Sequence, residues 1–101
     1  MNTSYLLLLI VRHAIDRGEL PRLREMALIH WPDLLDQRCV DLVTDYPLDE
    51  LKALCQLQPF ATVELTDNSL KQLEDLIQRN ETIDTIFSYF YLSLTGHALK
   101  H

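Results

Sequence analysis

The stretch Trp31-Pro32-Asp33-Leu34-Leu35-Asp36-Gln37-Arg38-Cys39-Val40-Asp41-Leu42-Val43-Thr44-Asp45-Tyr46-Pro47-Leu48-Asp49-Glu50-Leu51 decides the fold. Each of its prolines follows an aromatic residue and is followed within a turn by carboxylates. Proline suits the first turn of a helix because its φ is pre-set and its missing N–H would have no partner there. Asp33 and Asp36 in one case, Asp49 and Glu50 in the other, then sit where the partial positive charge of a helix start favours anions. Leu35, Cys39, Leu42, Val43 and Tyr46 recur at the three-and-four spacing of an inward helical face, predicting a helix from Pro32 to about Thr44. Leu48, Leu51, Leu54, Cys55 and Leu57 predict another from Pro47 to Pro59.

Upstream the same punctuation continues. Gly18 ends a first helix that opens on Asn2, Thr3 or Ser4, any of which caps free N–H groups, and runs to about Arg17. From Tyr5 to Val11 apolar residues occupy every side of that helix, so it is either central in the core or covered by another chain. A second helix fits Pro21 to about His30, with Leu20, Leu23, Met26, Ala27 and His30 on one face. Downstream, Phe60 to Leu65 is β-branched and aromatic, yet nothing else in the chain offers it a strand partner, so an extended connector is expected. Thr66, Asp67 or Asn68 caps a fifth helix carrying Leu70, Leu73, Leu76 and Ile77 and ending at Asn80. A sixth runs from about Thr82 to Thr95 before Gly96, with Ile83, Ile86, Phe87, Phe90 and Leu94 on one face. The expectation is an all-α bundle of five or six short helices forming a single domain over residues 1–101, with 60–65 as its one extended segment. No repeat and no linker interrupts it, and the only low-complexity run is Leu6 to Leu9.

The chain is 48% hydrophobic and 24% charged, which places it among folding globular sequences rather than disordered ones. Its net charge of −6 is uneven. Residues 1–30 hold Arg12, Arg17, Arg22 and Arg24 against Asp16, Glu19 and Glu25, whereas Asp33, Asp36, Asp41, Asp45, Asp49 and Glu50 have only Arg38 among them. Phosphate contacts need cations, so direct nucleic-acid binding is not expected on that acidic face, and a cationic partner is its natural complement. Cys39 and Cys55 are too far apart for a redox or zinc pair and too few for a disulfide framework. The apolar run near the start has no preceding Lys or Arg and is far shorter than the ~20 residues of a membrane span. A cytoplasmic protein without membrane attachment is expected.

Reactive constellations are weak. His97 and His101 stand four apart, but two imidazoles beyond Gly96 fall short of the three or four ligands of a metal site. Asp41, Asp45, Asp49 and Glu50 converge on one turn without a His, Lys or glycine-rich loop, so solvated carboxylates explain them better than a general acid. A Cys–His nucleophile would need Cys39 or Cys55 beside His13 or His30, yet both cysteines lie on apolar stripes where packing wants a small hydrophobe. The two glycines, Gly18 and Gly96, cradle no phosphate. The expectation is therefore a non-enzyme with no cofactor and no metal. It binds another protein, or a second copy of itself, through surplus apolar surface at Tyr5, Leu8, Trp31, Tyr89, Tyr91 and Leu92. The competing expectation is a small acidic inhibitor or immunity-type protein that blocks a basic groove through Asp33, Asp36, Asp41, Asp45, Asp49 and Glu50.

Overall fold

The structure, a computed structural model, describes residues 3–30, 37–57 and 65–96. Within them run α1 (Thr3–Asp16), α2 (Leu20–His30), α3 (Gln37–Asp45), α4 (Leu48–Leu57), α5 (Asp67–Gln78) and α6 (Ile83–Thr95), and no strand occurs among the described residues. The fold is all-α, as the helix punctuation requires. The expected opening at Pro32 and most of the 60–65 segment lie outside the described residues, and Leu65 is neither helix nor strand.

The helix ends follow from the residues that make them. Thr66 caps α5 by accepting from the Ser69 N–H at 3.2 Å, and Thr82 caps α6 by accepting from the Thr85 N–H at 3.3 Å. At the end of α1 the Glu19 N–H reaches back to the Ala14 carbonyl at 2.8 Å and the Gly18 N–H to Ile15 at 3.0 Å, with Gly18 at φ +70°. This is the paired carbonyl closure of a Schellman stop. The end of α5 repeats it with asparagine in the left-handed position: Glu81 donates to Leu76, Asn80 donates to Ile77, and Asn80 has φ +60°.

One hydrophobic cluster unites the buried residues, and α1 is its axis. α1 packs against each of the other five helices. Leu6, Leu7, Leu8, Ile10, Val11 and Ala14 are all buried, and Tyr5, Leu9 and Ile15 are half-buried against the cluster. An all-round apolar helix is thus enclosed inside one protomer rather than by a partner. α2 contributes Leu23, Met26 and Ala27, α4 contributes Leu51 and Cys55, α5 contributes Leu70 and Leu73, and α6 contributes Ile83, Ile86, Phe87 and Phe90.

Three expected positions are corrected. Leu8, expected at a partner surface, is 0% exposed because it lies on the part of α1 that the surrounding helices enclose. Tyr46, expected inward, is 44% exposed: its N–H still donates to the Leu42 carbonyl at 3.1 Å, so it keeps the helical spacing but faces an arc that the neighbouring described helices leave open. Leu54 is exposed as well, since among the described helices α4 touches α1 and α3 alone, and the enclosed arc is taken by Leu51 and Cys55.

These placements set expected costs. Leu8→Ala should lose about 2–5 kcal/mol by leaving a cavity at the axis of the bundle, whereas Leu92→Ala should stay within about 0.5 kcal/mol. Gly18→Ala should lose about 1–2 kcal/mol from the left-handed backbone alone, because the added methyl meets nothing within 4 Å. Urea midpoints of the three variants check the ranking; equal losses for Leu8→Ala and Leu92→Ala would remove α1 from the centre.

Candidate functional site

The polar third of α1 spends its donors on the backbone of other segments. The imidazole of His13 is 8% exposed, with Nε2 2.8 Å from the Glu81 carbonyl. A carbonyl only accepts, so Nε2 carries the proton in this contact. Arg17 Nη1 donates to the Asn80 carbonyl at 2.8 Å, and its Nε pairs with Glu19. Arg12 Nη1 donates to the Val43 carbonyl at 3.2 Å, and its Nε meets Asp16 at 3.3 Å. The carbonyls of Asn80 and Glu81 belong to the turn after α5, and Val43 to the last turns of α3. His13, Arg12 and Arg17 thus pin helix ends to one another.

Cys55 is buried, and burial pushes the pKa of its thiol up, the opposite of what a nucleophile needs. It lies near Tyr5, whose hydroxyl is pushed up by its own burial first and then by the negative charges of Asp49, Cys55 and Glu74. His13 stands about 12 Å further along α1 than Tyr5, at 1.5 Å per residue, so the structure holds His13 and the Cys55 thiol at different levels of the bundle. His30 meets the Tyr91 ring instead, with centroids 5.7 Å apart and planes at 58°. Among the described residues no group of three or more His, Cys, Asp or Glu side chains could hold a metal, and no helix is long and apolar enough to cross a membrane. His97 and His101 lie outside the described residues.

The apolar candidates separate by helix. Tyr5 is half-buried and Leu8 enclosed, so α1 offers little to a partner. On α6, Tyr89 is half-buried and donates its hydroxyl to Gln72 Oε1 at 2.6 Å, and Tyr91 is half-buried beside Phe87, its ring stacked at 6.4 Å. Leu92 is 43% exposed. Trp31 lies outside the described residues. The largest exposed aliphatic side chains are ones the sequence reading passed over: Leu28 at 71% and Ile29 at 65%, adjacent on α2. The signal was present, because with Leu23, Met26, Ala27 and His30 assigned inward, Leu28 and Ile29 can only point outward.

α2 and α6 bring these residues to one end. Arg22 grips Asp84 with two hydrogen bonds, Nε to Oδ1 at 3.0 Å and Nη2 to Oδ2 at 3.2 Å, near the starts of both helices. His30 meets Tyr91 near both finishes. The two helices therefore run side by side in the same direction, and Leu28, Ile29 and Leu92 stand at their common C-terminal end. The acidic candidates share another turn: Asp41, Asp45, Asp49 and Glu50 are all exposed on α3 and α4, the two helices that flank the exposed Tyr46, with Lys52 also exposed on α4. Asp33 and Asp36 lie outside the described residues.

No protein-family model matches the chain, and neither a curated protein nor a solved structure matches it.

Two measurements follow from these contacts. His13→Ala should lose about 1–3 kcal/mol by leaving a carbonyl in the interior without its donor, more than Arg79→Ala, which removes only the exposed pair with Asp75. For Cys55 the folded thiol holds its proton after the unfolded one has lost it. Above the ordinary thiol value of 9.0 the unfolded state therefore binds fewer protons, and stability falls as pH rises. Urea midpoints between about pH 8 and pH 10 should drop less steeply in Cys55→Ala than in the parent, and parallel slopes would contradict the burial of this thiol.

Proposed function

We propose that this protein is a non-catalytic interaction module of the cytoplasm that receives another protein chain on the shared end of α2 and α6. The observation that carries the reading is the exposure of Leu28 and Ile29, side by side on α2, at the end where Leu92 of α6 is also exposed. A single exposed leucine is ordinary on any surface. Several large aliphatic side chains at one end of a helix pair are apolar area whose removal from water, at ~25 cal/mol per Å², favours association. Half-buried Tyr91 and His30 adjoin them and supply rigid rings and polar edges, the composition that protein interfaces favour. The contact surface of this reading thus shifts from both terminal helices to α6 and its neighbour α2.

A second reading is favoured by a different observation. Asp41, Asp45, Asp49 and Glu50 are exposed on the two helices that flank the exposed Tyr46. An aromatic anchor flanked by acidic helices suits a basic groove on an enzyme or a nucleic-acid-binding protein, as a small acidic inhibitor would present it.

Photo-crosslinking residues placed singly at positions 28, 46, 75 and 92 test both in native lysate, position 75 serving as an exposed control on α5. The first reading expects the same partner captured from 28 and 92 but not from 75, with little response to salt and with loss of capture in Ile29→Glu. Light scattering on the purified chain then tells a second copy from a different protein. Capture from 28 and 92 no greater than from 75 overturns it. The acidic reading expects capture from 46 that weakens strongly between about 50 and 500 mM salt.

A further inference from the structure

We draw no further inference here: the strongest candidate, the exposed aliphatic patch of Leu28, Ile29 and Leu92 at the common end of α2 and α6, belongs to the surface already described, and nothing in the structure shows what covers it.

Discussion

Everything in this bundle depends on enclosing α1. A helix with leucine, isoleucine or valine on every side cannot lie on a surface with one face in water, and in a chain of 101 residues the only way to cover it from within is to wrap the other helices around it. That requirement sets the lengths of the rest. The remaining described helices are 9–13 residues long, short enough to turn around a central post of 14. α3 and α5 then need only one apolar face each, and their inward residues fall on single stripes.

The post also has to be held at a fixed height, and its polar end does this. Two helix stops of the same geometry, one at Gly18 and one at Asn80, are joined by Arg17 and His13 donating to the carbonyls of Asn80 and Glu81. Arg12 makes the equivalent bond to α3 through Val43. Among the described residues Arg12, Arg17, Arg22 and Arg79 all pair with a carboxylate. These four arginines fix helices to one another or to themselves, while Asp41, Asp45, Asp49 and Glu50 are exposed on α3 and α4. The acidity read from composition is therefore a property of the outside of the molecule.

Helix boundaries were legible because they are local. Threonine before an acid, glycine or asparagine after the last apolar residue, and proline after an aromatic each act within a turn, and Thr66, Thr82, Gly18, Asn80 and Gly96 fall where those signals put them. What could not be read is whatever depends on distant neighbours. The sequence leaves two fates open for the run from Tyr5 to Val11, and only five partners converging on it decide between them. Tyr46 and Leu54 obey the inward spacing and still face water, because spacing says which residues share a face and not how wide an arc the next helix covers. Leu28 and Ile29 are the reverse: their outward placement follows from the stripe of α2 alone. His13 and Arg17 carried no signal of their use, since a main-chain carbonyl more than sixty residues away has no sequence mark.

The burial of α1 changes where association would arise. Had that helix been half covered, the partner would have completed the core, and the free chain would be unstable without it. With most of the apolar run of α1 covered by the chain's own helices, the exposed side chains at the end of α2 and α6 lie outside the buried cluster. Side chains such as Leu28 and Leu92 can then be changed without emptying the interior, so recognition and stability are separable at that end of the molecule. At the α3–α4 turn the separation is of another kind. The carboxylates there touch the fold through helix starts and exposed faces, and their long-range field acts mainly on the approach of a partner rather than on the fit of the bound state. An apolar surface holds what it meets and a charged one selects what arrives; on this bundle the two lie on different helix pairs, and among the described helices each of those four packs against α1.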